Sequence, residues 1–207
     1  TPVEIDLFFP QDQKKIRQTL NLPLDKKLLL FVAMNVAEER KGFRYLKESL
    51  DLLLAKDPSL KDRVEVLVLG KASEEQLSVL GFKVNHLGFL SQPQQIAAAY
   101  GACDLFVMPS LEDNLPNVVL ESMACGRPVV AFETGGIPEM VEHLESGYIA
   151  QFKDAADLAQ GILTTLAAEN WEKFSTQART RILEHFSDKI VSDQYQRLYQ
   201  KLIAASS

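Results

Sequence analysis

The chain is poor in the residues that build metal sites and disulfide frameworks. Its 207 residues include two cysteines, Cys103 and Cys125, and three histidines, His86, His143 and His185. The cysteines do not form a C-x-x-C pair, and no two histidines are spaced four apart as on one helical face. Zinc sites and disulfide scaffolds need closer or more numerous ligands. We therefore predict two small buried thiols, scattered histidines and no metal.

The sequence also lacks a membrane-length apolar run and an excess of basic residues. A membrane span needs about 18 consecutive apolar residues, and a signal peptide needs a charged segment before an apolar one. Acidic residues outnumber basic ones 28 to 22, for a net charge of −6, which is opposite to the footprint of nucleic-acid binding. Apolar residues make up 46% of the chain, as in ordinary globular proteins. We predict a cytoplasmic globular protein that binds no nucleic acid.

Short apolar runs that suit buried strands recur along most of the chain. They are nearly continuous in apolar residues, which is typical of parallel strands covered on both faces. The predicted strands are 28–33, 64–70, 83–88, 104–110, 128–132 and 148–152. Segments with helical spacing separate them, such as 41–56. This alternation predicts an α/β fold, a Rossmann-like doubly wound parallel sheet of about six strands with flanking helices.

Other patterns predict helix starts and the organisation of the two ends. Ser73 with Gln76, and Ser91 with Gln94, have the spacing of a capping box. After Asp154 only helical patterns remain, at 158–168, 171–186 and 188–203, so the C-terminal end is predicted to be helical. Residues 1–10 contain two prolines and mixed polarity, and we interpret them as a linker from an upstream domain. Residues 11–186 would then form the sheet domain.

Polar residues crowd the stretch Ser110 to Leu115, between a predicted strand and a predicted helix. In open parallel sheets, ligands bind beyond the carboxyl ends of the strands. Pro116 suits the first turn of the following helix, and Gly126 suits its end. On that helix, Glu121 could accept hydrogen bonds from both hydroxyls of a ribose. A solvated helical glutamate is the alternative, which the local pattern alone favours.

Two further loops at the same predicted edge carry residues suited to an anion. Gly135 and Gly136 precede a helix, where backbone amides and the helix dipole favour negative charge, although a tight turn would also need glycine. Arg40 and Lys41 follow the first predicted strand and could neutralise a departing diphosphate. A solvated loop paired with neighbouring glutamates is the alternative.

The run PSLEDNLPNVVLESMACGRPVVAFETGGIPEMVEHLESGYIA resembles the C-terminal half of family 4 retaining glycosyltransferases, which have the GT-B fold. The segments RKGFRYL, HLGFL and FSDKIVSDQYQRLYQKLI fall in the order that the family uses, so the resemblance covers nearly the whole chain. It implies a hexosyltransferase of polysaccharide biosynthesis that moves a sugar from a nucleotide-diphosphate sugar to an acceptor hydroxyl with retention. This chain would be the donor-binding half.

The resemblance also assigns roles to individual residues. Asp113 and Glu121 correspond to the family's paired glutamates, with Glu121 on the ribose and Asp113 near the donor sugar. Lys41 corresponds to the diphosphate-binding lysine, and the residues after the third predicted strand correspond to the base contact. The predicted site thus has Asp113, Lys41 and Arg40 as catalytic residues, and Glu121, Asn114, Leu115, Phe89, Leu90, Gly135 and Gly136 as donor-binding residues.

Two positions depart from the family pattern. The first paired acid is an aspartate, Asp113, which is shorter than glutamate by one methylene. The usual glycine-arginine pair after the first strand is replaced by Ala33 and Met34, so a phosphate-binding arginine is absent from its place. Arg40 is the candidate to substitute for it, and without that substitution donor affinity or specificity should differ from the family pattern. We predict that no cofactor or metal takes part.

The resemblance further implies partners outside this chain. An upstream domain would bind the acceptor, a sugar or lipid-linked glycan, and the full-length protein could associate peripherally with the inner face of the membrane. The final helix, 187–207, would cross back to that domain. We therefore expect this chain alone to be inactive, and to self-associate through the uncovered residues Tyr195, Leu198 and Tyr199.

Two other functions remain open from the sequence alone. One is a sugar-nucleotide epimerase of similar two-domain build, which would need acid and base groups converging on the sugar. The other is a non-catalytic nucleotide-binding or scaffold module that keeps the sheet without the chemistry. The base of the donor, which can be that of a UDP-, GDP- or ADP-sugar, also remains open, as do its sugar and the acceptor.

Overall fold

A computed structural model describes residues 2–205, in which six parallel strands form one sheet. The strand order is β3-β2-β1-β4-β5-β6. The strands are β1 (Lys27–Asn35), β2 (Val64–Lys71), β3 (Val84–Gly88), β4 (Leu105–Met108), β5 (Val129–Phe132) and β6 (Gly147–Ala150). The predicted doubly wound sheet is thus confirmed, with strand ends shifted by one or two residues.

Apolar residues on the strands bury both faces of the sheet. In β1, Leu28 and Leu30 pack into the core on one face, whereas Leu29 and Phe31 pack into the core on the other. Successive side chains of a strand point to opposite faces, so a strand that is covered on both sides must be apolar at nearly every position. This requirement explains why continuous apolar runs marked the strands.

Helices cover the two faces and form the C-terminal end. They are α1 (Gln13–Thr19), α2 (Phe43–Lys56), α3 (Glu74–Ser78), α4 (Pro93–Ala102), α5 (Asn117–Ala124), α6 (Ile137–Met140), α7 (Ala155–Leu166), α8 (Ala168–Arg181) and α9 (Asp188–Ala205). Single 3₁₀ turns lie at Glu39–Lys41 and Pro58–Asp62, and a π-helical turn at Ile182–Phe186 joins α8 to α9. The prediction that the C-terminal end is helical is confirmed.

The two predicted capping boxes have different outcomes. At α3, the Gln76 backbone amide donates to Ser73 Oγ at 3.2 Å and the Ser73 amide donates to Gln76 Oε1 at 2.9 Å, which confirms the first box. The second prediction, Ser91 with Gln94, is wrong. Helix α4 begins at Pro93 and is capped by Gln92 without a side-chain hydrogen bond. Because proline fixes the first helical turn, it moves the helix start past the serine.

The N-terminal segment packs against the end of α8 and the π-helical turn that follows it. The Val3 amide donates to the Phe186 carbonyl at 3.1 Å, and Arg179 Nη1 donates to the Phe8 carbonyl at 2.9 Å. On α9, Tyr195, Leu198 and Tyr199 expose 58%, 51% and 61% of their surface. The division into linker, sheet domain and crossing helix stays a prediction, and residues 1, 206 and 207 of the linker and helix predictions lie outside the described residues.

The structure describes the two cysteines, the metal-ligating residue types and the lengths of the helices. Cys103 and Cys125 are buried and unpaired, as predicted, and burial raises the pKa of each thiol to about 12. Among residues 2–205, no group of three or more histidine, cysteine and acidic side chains is arranged to hold a metal ion. Over the same range, no helix combines the length and apolarity required to traverse a bilayer.

A buried ion pair fixes the amino ends of the two central strands. Arg17, 4% exposed, donates from Nη2 to Asp104 Oδ2 at 2.6 Å and from Nε to the Ala102 carbonyl at 2.8 Å. The same Asp104 oxygen accepts from the Leu28 amide at 2.7 Å. Since Asp104 precedes β4 and Leu28 lies near the start of β1, this one carboxylate joins α1 to both strands.

We expect Arg17→Ala to lower the free energy of unfolding by about 3–5 kcal/mol, because it removes the buried cation of Asp104 and leaves this carboxylate with the half-exposed Lys27 at 3.4 Å. Urea unfolding of the purified chain measures the change. Lys47→Ala is the matched control, since Lys47 forms an exposed pair with Asp51 on α2 and its loss should cost less than about 0.5 kcal/mol. Equal effects of the two substitutions would show that the buried pair does not hold the strands.

Candidate functional site

The carboxyl ends of β1 and β4 bring together two of the predicted catalytic residues. These strands are neighbours at the centre of the sheet, where the strand order reverses direction, and ligands of doubly wound folds bind in the crevice at that point. Lys41 lies in the turn after β1, and Asp113 lies in the loop after β4. Lys41 Nζ is 2.7 Å from Asp113 Oδ2, and the two side chains are 15% and 17% exposed.

A glycine allows the first of these loops to approach the second. Gly42 caps α2 with a φ of +70°, and a Cβ atom there would lie 1.8 Å from the Pro109 carbonyl oxygen. Beside it, the Leu111 amide donates to the Arg40 carbonyl at 2.7 Å. Only glycine permits both the left-handed backbone and the contact, so Gly42 sets the distance across which the Lys41–Asp113 pair forms.

The two glycines after β5 hold the same loop from its other side. Gly135 has a φ of +53°, and a Cβ atom on it would lie 1.8 Å from the Asp113 carbonyl oxygen. The Gly136 amide donates to the Asn114 carbonyl at 2.7 Å. Thr134 Oγ1 donates to the Ser110 carbonyl at 3.0 Å. These glycines therefore bring the backbone after β5 against the loop after β4. This is the turn-forming role that the sequence offered as the alternative to anion binding.

An open cleft of about 600 Å³ adjoins the ion pair. It is lined by Arg40, Leu111, Glu112, Asp113, Asn114, Thr134 and Gly135. Its volume lies within the range of small-molecule sites, about 300–1,000 Å³. The cleft thus brings predicted site residues from three loops to one surface.

Arg40 lines this cleft, but its guanidinium is turned toward a neighbouring acid. Arg40 Nη2 is 2.6 Å from Glu38 Oε2, and the arginine side chain is 47% exposed. At the position of the missing family arginine, Met34 is 67% exposed. The structure therefore shows Arg40 paired with a neighbouring glutamate, which was the alternative interpretation of this residue. That Arg40 substitutes for the missing family arginine stays a prediction.

Glu121, on the second turn of α5, is half-buried rather than solvated. Its Oε2 accepts a hydrogen bond from the Tyr100 hydroxyl at 3.2 Å. Burial raises the pKa of Glu121 above its ordinary value, and the hydrogen bond from Tyr100 opposes that rise. The interpretation that local pattern favoured, a solvated helical glutamate, is wrong because α4 packs beside α5 and brings Tyr100 to the carboxylate.

A second cavity of about 380 Å³ contains Glu121. It is lined by Pro2, Val3, Glu4, Leu7 and Phe8 of the N-terminal segment, Pro93 and Ile96 of α4, and Asn117, Leu120 and Glu121 of α5. Sequence reasoning missed the N-terminal segment, whose burial depends on contacts with helices far along the chain. The alternation of apolar and acidic residues in VEIDLFF was the one available signal.

The predicted base-contacting residues lie at the same sheet edge, after β3. Phe89 is 53% exposed, and Lys71 Nζ lies 5.8 Å from its ring centroid. Neither Phe89 nor Leu90 lines the two cavities that contain Asp113 and Glu121. Leu115 is 44% exposed and packs against Gly136. The structure thus joins Lys41, Asp113, Asn114 and Gly135 closely, and leaves Phe89 and Leu90 at the rim.

Comparison with known proteins gives a family model and several relatives that are named as glycosyltransferases. The family model described as Glycosyl transferases group 1 matches residues 26–168. The D-inositol 3-phosphate glycosyltransferase of Geodermatophilus obscurus is 36% identical over 177 residues, which cover 80% of this chain and 39% of the relative. The N,N'-diacetylbacillosaminyl-diphospho-undecaprenol alpha-1,3-N-acetylgalactosaminyltransferase of Campylobacter jejuni is 29% identical over 97% of this chain and 53% of its own length. The chain therefore spans about half the length of such relatives, or less.

Solved structures share the fold. Sucrose-phosphate synthase from Thermosynechococcus elongatus has a TM-score of 0.78 at 28% identity, over 99% of this chain and 52% of that one. Anabaena Alr3699/HepE in complex with UDP-glucose has a TM-score of 0.76 at 26% identity, over 98% of this chain and 56% of that one. The C-terminal domain of LpcC from Francisella tularensis, at 20% identity and a TM-score of 0.74, is covered over 99% of its length, so a domain of this fold crystallises by itself.

The steric contact at Gly135 can be separated from the effect of its φ angle. Gly88 has a similar φ of +68°, but a Cβ atom there would contact nothing within 4 Å, so Gly88→Ala should cost only the left-handed strain of about 1–2 kcal/mol. We expect Gly135→Ala to cost about 2 kcal/mol more, because its methyl group meets the Asp113 carbonyl. Urea unfolding measures both variants. A Gly135→Ala variant no less stable than Gly88→Ala would contradict the close packing of the two loops.

The raised pKa of Glu121 predicts a pH-dependent stability difference for Glu121→Gln. A carboxyl whose folded pKa is raised contributes most stability when protonated, and this contribution is lost as pH rises through the folded pKa. At pH 7 the native chain thus bears the cost of a buried charge, which glutamine avoids. We expect Glu121→Gln to unfold at higher urea than the native chain at pH 7, with the gap shrinking toward pH 4. Glu112→Gln, at an exposed position in the cleft, is the control and should show no gap at either pH.

Proposed function

Since this chain belongs to the glycosyl transferases group 1 family, we propose that it is the donor-binding half of an enzyme that transfers a sugar from a nucleotide-diphosphate sugar to an acceptor hydroxyl. The observation that carries the proposal is the Lys41–Asp113 pair at 2.7 Å, beside an open cleft at the switch point of the sheet. A cation and a carboxylate held there supply the two charges that such a transfer uses.

Lys41 is proposed to bind the diphosphate of the donor. As the bond between the anomeric carbon and the diphosphate oxygen breaks, negative charge grows on the departing phosphate, and a fixed ammonium stabilises it. Lys41 is only 15% exposed, so water screens this charge less than it would at an open surface. The lysine provides a role that Mg²⁺ has in other phosphoryl-containing sites, so the proposal includes no metal.

Asp113 is proposed to lie against the donor sugar, with the backbone of Asn114 and Leu115 near the sugar and its phosphates. Positive charge develops on the anomeric carbon as the leaving group departs, and a nearby carboxylate stabilises it. Family 4 membership and retention of anomeric configuration are parts of this proposal that rest on the motif resemblance. The shorter side chain of aspartate suits its position here, because it already reaches Lys41 across the crevice.

Glu121 is proposed to hold the ribose, with Phe89 and Leu90 contacting the base. A carboxylate has about four lone-pair sites on two oxygens, so it can accept hydrogen bonds from both hydroxyls of a vicinal diol. The similarity to a chain solved with UDP-glucose supports a nucleotide-sugar donor for this chain as well. UDP, GDP and ADP are the nucleotides to be compared.

The acceptor is proposed to bind to a domain outside this chain. The chain spans 39% and 53% of two relatives, which leaves room in such proteins for a second domain of similar size. One of these relatives is named for a diphospho-undecaprenol acceptor, which supports a lipid-linked glycan and a peripheral position at the cytoplasmic face of a membrane. The relatives are named as transferases or synthases, and no observation favours the epimerase alternative.

Calorimetric titration of this chain with UDP, GDP and ADP, and with their sugar conjugates, tests the proposal. We expect one nucleotide series to bind, and Lys41→Gln to weaken it about 10- to 100-fold through the loss of a charge-assisted hydrogen bond. Lys47→Gln, an exposed lysine on α2, should leave the affinity unchanged. Binding that is absent, or unchanged in both Lys41→Gln and Glu121→Gln, would favour the scaffold alternative.

The same samples can be assayed for nucleotide release from the bound sugar conjugate. We expect this chain to bind the donor without transferring the sugar, because the proposed acceptor site lies elsewhere. Measurable sugar transfer by the purified chain would contradict the proposal that the donor binds to this chain and the acceptor binds to another domain.

A further inference from the structure

Tyr100 is a fully buried polar residue that contacts the proposed ribose-binding carboxylate. It lies on α4, its exposed fraction is 0%, and its hydroxyl is 3.2 Å from Glu121 Oε2. A buried hydroxyl without a partner costs free energy, so this contact satisfies the tyrosine. Within residues 2–205, the side chain of Glu121 accepts its hydrogen bond from Tyr100.

The ring of Tyr100 is fixed by two other aromatic rings. Phe8 meets it edge-on, with centroids 6.2 Å apart and planes at 69°. Phe106 of β4 meets it at 5.9 Å and 76°. Because a buried ring held in this way has little freedom to move, its hydroxyl has a defined position. Glu121 Oε2 is therefore held by a group that belongs to the rigid core.

At neutral pH the Tyr100 hydroxyl keeps its proton and can donate to the carboxylate. Burial, together with the adjacent Glu121 charge, raises the pKa of Tyr100 well above its usual value. One hydrogen bond to Oε2 uses one of about four lone-pair sites on the carboxylate, so acceptor positions remain for a diol. A free glutamate side chain would lose rotamer freedom on binding a ligand, and a side chain that is already held loses less.

We propose that Tyr100 is a positioning residue, which holds the Glu121 carboxylate in the orientation that accepts both hydroxyls of a ribose and so makes the site prefer ribonucleotides over 2′-deoxyribonucleotides. This inference rests on the proposed function. It assigns ribose selectivity to a residue on a different helix from the carboxylate, whose hydroxyl acts through Glu121.

The test compares each ribonucleoside diphosphate with its 2′-deoxy form. UDP, GDP and ADP and their 2′-deoxy counterparts are titrated into the chain by calorimetry, and the pair with the tightest ribonucleotide is used for the variants. We expect Tyr100→Phe to reduce the ratio of ribo to deoxy affinity by about 2- to 10-fold, with the deoxy affinity nearly unchanged. Phenylalanine keeps the ring contacts with Phe8 and Phe106, and urea unfolding checks that the variant is folded.

Tyr148→Phe is the matched control, because its hydroxyl donates to Asp157 at 2.6 Å on another part of the fold. It should leave the ratio unchanged. In a Glu121→Gln background, Tyr100→Phe should no longer alter the ratio, since both act through one contact. An equal loss of ribo and deoxy affinity in Tyr100→Phe, or an unchanged ratio, would overturn the inference and leave the proposed function standing. Failure of all three ribonucleotides to bind would overturn both.

Discussion

The site depends on the contact of three backbone segments at the centre of the sheet. The loop after β4 lies between Gly42 on one side and Gly135 on the other, and a Cβ atom at either position would lie 1.8 Å from a carbonyl oxygen of that loop. Parallel strands end at one edge, so their loops meet there, but side chains normally keep them apart. Glycine removes that separation, and an ion pair of 2.7 Å between Lys41 and Asp113 becomes possible.

The two ends of β4 use buried charge in different ways. At the amino end, Asp104 accepts from Arg17 and from the Leu28 amide and lies 3.4 Å from Lys27, so its carboxylate is paired within the fold and its role is structural. At the carboxyl end, Asp113 contacts Lys41 beside an open cleft, which is where the proposed function places the donor. Removing one partner of a buried pair leaves an uncompensated charge. Within the proposed function, a phosphate on Lys41 supplies the ammonium with another anion, and the positive charge that develops on the donor sugar compensates the Asp113 carboxylate.

Sequence reasoning identified the strands because burial on both faces requires apolar residues throughout, a pattern that is visible locally. It succeeded less well where distant contacts decide. The Ser91 capping box was wrong because Pro93 sets the start of α4. For Glu121, which was predicted to bind ribose, the local pattern alone favoured a solvated residue because Tyr100 lies on another helix. Arg17 gave no local signal at all, since its partner Asp104 is 87 residues away. The resemblance assigned Lys41 and Asp113 to one donor site without predicting their contact, and backbone packing explains how they meet.

Within the proposed function, solvent access distinguishes donor binding from sugar transfer. Electrostatic stabilisation of a breaking glycosyl bond is strongest when water is excluded, because water screens the charges that stabilise the leaving group. The cleft beside Asp113 is open, and Met34 and Phe89 expose 67% and 53% of their surface near the ends of β1 and β3. Apolar side chains at the rim of a polar cleft are suited to contact with another surface. Within the proposed function, a domain that covers this rim would both exclude water and bring the acceptor. Affinity for the donor then depends on the residues of this chain, whereas the rate of sugar transfer depends on the domain that covers the cleft.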